Sequence, residues 1–206
     1  MTGIIAQNVG RTSGLIKAAS GGGGVWTKIK TLTASGDSTL SFVNGAADVV
    51  LDSTYPIYVF KFVELHVSHT GQIFVNFSSD TGSNYNVTKT TTVFEQYQIE
   101  AGGTAWLSYA ELSDLSESTA AQRIVDEVNT GNDSSASGEL WLFNPSSTTY
   151  VKHFMSWTEA MRDYAWQLHV AGYGNTTSAI DAVRFSRSNG YFDSGDIVLY
   201  GLKDSA

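Results

Sequence analysis

The closing stretch of the chain, Ala179 to Leu202, constrains the fold most tightly. It reads Ala-Ile-Asp-Ala-Val-Arg-Phe-Ser-Arg, then Ser-Asn-Gly-Tyr-Phe-Asp-Ser-Gly, then Asp-Ile-Val-Leu-Tyr-Gly-Leu. Two β-rich runs flank a turn-forming segment, a pattern that predicts a closing hairpin. Val183 and Phe185 fall on one face and can enter a core, while Asp181 and Arg187 mark where the apolar part of that face ends. A strand with one apolar face needs a second layer to cover it, and a β-sandwich supplies one.

The same grammar runs back through the chain from Trp26. Trp26 to Leu32, Thr39 to Val43 and Ile57 to Ser68 read as strands. The third is apolar on both sides: Ile57, Val59, Val63, Leu65 and Val67 alternate with Tyr58, Phe60 and Phe62. That pattern suits a central strand. Turn signals at His69-Thr70-Gly71 and from Ser79 to Asn84 lead into Gln72 to Ser79 and Tyr85 to Ile99, which predicts an antiparallel meander. Thr104 to Ala110, Glu139 to Asn144, Thr149 to Trp157 and Tyr164 to Tyr173 follow. Between Ser116 and Asn129, Ala120, Ala121, Ile124, Val125 and Val128 have helical spacing, yet Arg123 to Val128 reads equally as a short edge strand, and strand is preferred. About ten to twelve short strands predict an all-β, two-sheet antiparallel jelly-roll sandwich over residues 25–206, preceded by an extended N-terminal arm.

Composition narrows the function. Charged residues are only 16% of the chain and aromatics 12%, with Thr, Ser, Gly and Asn filling much of the rest, which favours strands and turns. A net charge of -8 with no basic cluster repels phosphate backbones, so nucleic acid is not an expected partner. There is no cysteine, hence no disulfide and no thiolate metal site. No apolar run approaches the roughly 18 residues of a membrane span, and no export signal is recognised, so a soluble protein without a membrane partner is expected.

Residues 1–24 differ from the rest. Ile4, Ile5, Val9, Leu15 and Ile16 are too interrupted to form a core and read as hooks for a partner surface, the alternative being that the arm docks back on its own domain as an extra strand. Gly21, Gly22, Gly23 and Gly24 read as a hinge between this anchoring arm and the domain.

Chemical sites are sparse. His66 and His69 would sit on opposite faces of an extended strand, and His153 and His169 lie in other strands, so no metal site is expected. Glu127, Asn129, Asn132 and Asp133 offer oxygen ligands in the loop from Asp126 to Glu139, but miss the spacing of a calcium-binding EF-hand. Ser13 lies off the register of a hydrolase nucleophile elbow. Glu64, Glu95, Asp193 and Asp196 form no paired motif of the kind glycoside hydrolysis needs, so the chain is not expected to be an enzyme or to carry a cofactor. Trp106, Trp141, Trp157 and Trp166 could form an aromatic platform for a sugar, though core packing is the preferred role of Trp141 and Trp157.

Several ordered segments carry a resemblance. They are Asp52-Ser-Thr-Tyr followed by Tyr58-Val-Phe-Lys-Phe, the run from Gly82 to Phe94, Gly138-Glu-Leu-Trp-Leu-Phe-Asn-Pro with its continuation to Phe154, Ala171 to Phe185, and Gly195-Asp-Ile-Val-Leu-Tyr-Gly. Over about Trp26 to Leu202 the chain resembles small virion structural proteins of marine tailed bacteriophages. The resemblance implies a jelly-roll component of the head or tail surface, made in the host cytoplasm and located in the virion. Its expected partners are other capsid or tail proteins, and the apolar residues on both faces of Ile57 to Val67 and Ile197 to Leu202 add copies of itself, as a trimer or higher ring. Capsid decoration or cement is the preferred role, because the chain lacks the heptads and shaft repeats of long fibres. A tail-fibre or tail-tip module that binds host glycans is the alternative.

Overall fold

The computed structural model describes residues 25–203, all strands and connections. The arm residues Ile4, Ile5, Val9, Leu15 and Ile16 and the glycines Gly21 to Gly24 lie outside the described residues. Twelve strands follow one another: β1 (Val25–Thr33), β2 (Thr39–Val43), β3 (Ile57–Val67), β4 (Gly71–Ser78), β5 (Lys89–Ile99), β6 (Ala105–Tyr109), β7 (Gln122–Val128), β8 (Ala136–Phe143), β9 (Lys152–Met161), β10 (Tyr164–Gly174), β11 (Ala182–Arg187) and β12 (Phe192–Lys203). Residues 122–128 are therefore strand, and β7 is an edge strand.

Two antiparallel sheets form, one of eight strands in the order β1-β12-β3-β8-β9-β10-β5-β6 and one of four in the order β2-β11-β4-β7. Four successive-strand units, β1–β2, β3–β4, β7–β8 and β11–β12, each pass from one sheet to the other. They lie side by side in matching order, 1-12-3-8 above 2-11-4-7, which is the winding of a jelly roll. Two insertions complete the larger sheet. The β5–β6 hairpin enters between β4 and β7, and β9–β10 between β8 and β11; together they extend that sheet by four strands beyond the jelly-roll core.

This topology corrects two local readings. The closing stretch is not a hairpin: β11 pairs with β2 and β4, and β12 with β1 and β3, so their connection crosses between sheets. Nor do β3, β4 and β5 form a meander, since none is hydrogen-bonded to the next. Period-two alternation specifies which face a residue takes, but not which strand lies beside it.

The core lies between the sheets. Phe42, Phe60, Phe62 and Phe185 interlock edge to face, with ring centres 5.2 to 6.3 Å apart, and Phe77 meets Phe154 at 5.0 Å. Each such side chain removed from water contributes about 1.5–3 kcal/mol. Val183 and Phe185 are fully buried, as the pattern of the closing stretch predicts. Strand β3 departs from simple alternation, because Leu65 and Val67 join Tyr58, Phe60 and Phe62 in the core. The register slips between Phe62 and Leu65, and Glu64 takes a left-handed φ of 50°. One extra residue there turns the strand over. Gly195 on β12 lies against this bulge at φ 96°, and a Cβ on it would come within 2.3 Å of the Glu64 carbonyl oxygen, so glycine is required.

Where apolar packing thins toward the insertions, polar struts tie the layers together. Lys89 Nζ on β5 donates to Asn76 Oδ1 on β4 at 2.6 Å and to the Val87 carbonyl at 2.7 Å. Thr91 Oγ1 on β5 donates to Gln122 Oε1 on β7 at 2.6 Å, and the Thr158 hydroxyl on β9 donates to the Ile124 carbonyl on β7. Lys89 is fully buried, and desolvation pulls its ammonium down to a pKa of about 8.

Candidate functional site

The outward face of the eight-stranded sheet carries the most conspicuous surface of the described residues. Strand β9 alternates strictly: Lys152, Phe154, Ser156, Thr158 and Ala160 turn inward, while His153, Met155, Trp157 and Glu159 turn out. Register then places Trp141 of β8 beside Met155, His169 of β10 beside Trp157, and Phe94 of β5 beside His169, with Tyr109 of β6 next to Phe94. The result is a band of rings running across the strands.

The band has a closed half and an open half. At the β1 side, Trp26 sits edge-on to Trp141 at 5.7 Å and to Tyr200 at 5.6 Å, and Lys61 Nζ lies 4.8 Å from a Trp26 ring centre. Lys61 also pairs with Glu139 at 3.3 Å, and Glu139 accepts the Trp141 indole N–H at 2.8 Å. Beneath them Val59, although outward-facing, is fully buried. Past β8 no described strand lies over the rings. Phe94 and Met155 are each 51% exposed and Trp157 54%. Trp157 lies tilted over His169 at 4.7 Å, and a depression of about 290 Å³ opens between Trp157, His169, Phe94, Met155, Trp141 and Thr92. A second, of about 490 Å³, adjoins Gln96, Gln98, Gln167, Ala105, Ala165 and Leu107, where Gln96 donates to Gln167.

Trp157 is thus not a core residue, contrary to the preferred sequence reading. Both faces of β9 carry large apolar residues, Phe154 on one and Met155 and Trp157 on the other, so local pattern does not say which faces inward. Trp141 is outward too, half-buried by its neighbours. Trp106 and Trp166 lie on the opposite face of the insertion. There they form a ladder with Tyr97, 5.5 Å from each.

Other sequence candidates end up in different places. At one end of the sandwich, Glu64, His66, Asn132, Asp133, Ser134 and Ser194 border a polar depression of about 490 Å³. His66 Nδ1 lies 2.8 Å from Asp193 Oδ1, 127 positions away, and its Nε2 is 3.0 Å from the Gly131 carbonyl. Glu127 is drawn off by Arg162, and Asn129 accepts from the Gly131 N–H at 2.8 Å, so the loop's oxygens do not converge. No group of three His, Cys, Asp or Glu with metal-binding geometry occurs among the described residues. His69 is exposed beside Ser68, and His153 meets the Tyr173 ring at 6.2 Å. Asp196 accepts from the Thr33 hydroxyl at 2.6 Å. Glu95 faces β7 from beneath β5, and burial, with Asp126 adding its charge, raises its pKa. Asp126, also raised by burial, is paired with Arg123. That pair is packed between layers and lines no opening described above.

Comparison with protein-family models, curated proteins and solved structures finds no match to this chain.

Proposed function

We propose that the chain is a non-enzymatic structural protein of a tailed-phage virion surface, a capsid decoration or cement protein fastened by its N-terminal arm and associating with copies of itself. The observation that carries this reading is the open half of the aromatic band. A lone soluble domain has no reason to keep Phe94, Met155 and Trp157 half in water side by side, and contiguous exposed apolar surface marks interaction sites. The jelly-roll winding and the sequence resemblance support the same reading, and the apolar arm residues supply the fastening. Deleting residues 1–20 leaves unfolding of the sandwich unchanged and abolishes incorporation into particles. Truncated protein entering particles at normal copy number overturns the tether.

A second reading is favoured by one feature. Register places Gln167, which bonds Gln96, two positions from the His169 that faces Trp157 on the same outward side of β10, and an exposed ring with amide groups on the neighbouring strand suits a neutral sugar. On that reading the module contacts host glycans.

A further inference from the structure

Among the described residues four strands form the edges of the two sheets: β1 and β6 in the larger, β2 and β7 in the smaller. An open edge invites pairing with another chain, and proteins guard edges with charge, bulges or small polar side chains. Strand β1 carries Lys28 and Lys30 with a register shift between them. Strand β7 carries Arg123, Asp126 and Glu127. Strand β2 turns Thr39 and Ser41 away from the core. Strand β6, Ala-Trp-Leu-Ser-Tyr, has no charge, no proline and no bulge, and its Trp106, Leu107 and Tyr109 are 46%, 69% and 41% exposed.

Among the described residues no strand pairs with the outer side of β6. The Thr104 carbonyl accepts from Ile99 N–H and the Ala110 N–H donates to Val93, both toward β5. By antiparallel alternation, the N–H and C=O groups of Ala105, Leu107 and Tyr109 point away from β5. Of these, the Tyr109 carbonyl meets the hydroxyl of its neighbour Ser108 at 3.3 Å.

We propose that β6 pairs antiparallel with β6 of a second copy about a two-fold axis at Leu107, joining the two eight-stranded sheets edge to edge. This rests on the self-association in the reading above and names its surface. An antiparallel strand is self-complementary under a two-fold, so Ala105 opposes Tyr109 of the other copy and Leu107 opposes its own equivalent. Three facing pairs form about six hydrogen bonds. The Trp106 side chains become diagonal neighbours within ring contact, and the open halves of the two aromatic bands become continuous. The contact is two-fold, so a trimer or higher ring needs a second surface.

Sedimentation of the full chain at micromolar concentration shows twice the 22.2 kDa monomer mass, and Leu107→Lys, at an exposed position, folds normally and sediments as monomer. Because the chain has no cysteine, Leu107→Cys places a single thiol directly opposite its equivalent. Facing Cα atoms at about 5.5 Å fall within disulfide reach, so diamide oxidation yields a covalent dimer. Thr39→Cys, on the β2 edge, does not crosslink. A monomeric wild type, a Leu107→Lys variant of unchanged mass, or a Leu107→Cys that fails to crosslink overturns the pairing. A monomeric Leu107→Lys that enters particles normally leaves the pairing standing and removes self-association from the assembly reading.

Discussion

Replacing Lys89 by methionine tests how the layers are held together. The ammonium is fully buried, and its pKa of about 8 lies below the usual 10.5 because desolvation disfavours charge. Between those two values the unfolded chain holds a proton that the folded chain has released, so the stability of the fold rises with pH across that window. The slope reaches about 1.4 kcal/mol per pH unit, and the whole effect is about 3 kcal/mol. From about pH 7.5 to 9.5 the Lys89 contribution rises by about 2 kcal/mol. Lys89→Met lacks this titration. It also leaves the Val87 carbonyl without its 2.7 Å partner, but that loss does not depend on pH. Urea unfolding followed by tryptophan fluorescence at both pH values measures the difference between the two proteins. Tyr58, pushed up to about 12, and Arg187, lowered to about 10, titrate in both proteins and cancel in the comparison. Parallel stability curves for wild type and Lys89→Met refute the reasoning.

Two further outcomes follow from the packing. Phe60→Ala empties a fully buried position where Phe42 and Phe185 meet at 5.2 and 5.4 Å, and costs about 3–5 kcal/mol in urea unfolding; a loss under about 1.5 kcal/mol contradicts the described core. Trp157→Ala, at a half-exposed ring, shifts stability by less than about 1 kcal/mol. On the glycan reading it abolishes calorimetric binding of neutral oligosaccharides, and a variant that binds them as well as wild type does removes that reading.

Much of the secondary structure was legible in the chain. Thr39 to Val43 matches β2, Tyr164 to Tyr173 ends one residue short of β10, and the preferred edge strand Arg123 to Val128 lies inside β7. These elements are announced locally, by β-branched and aromatic runs between turn residues. In β3 both faces read as apolar, and only the structure shows that the Tyr58, Phe60 and Phe62 side enters the core. The bulge at Glu64 escaped notice, since an extra residue in a strand leaves no mark on composition.

What the sequence by itself determined, then, was the material: an all-β chain with enough apolar faces for two layers, no cysteine and few charges. Tertiary structure decided the neighbours. β11 and β12 sit side by side in sequence yet belong to different sheets, because each is stabilised by partners far away in the chain. It also decided which apolar faces stay wet. Phe154 and Trp157 are equally plausible core residues on one strand, and only the side on which the four-stranded sheet packs buries Phe154 and leaves Trp157 half-exposed. Local pattern encodes the two faces of a strand through its two-residue period, whereas burial of either face depends on long-range packing that no short window contains.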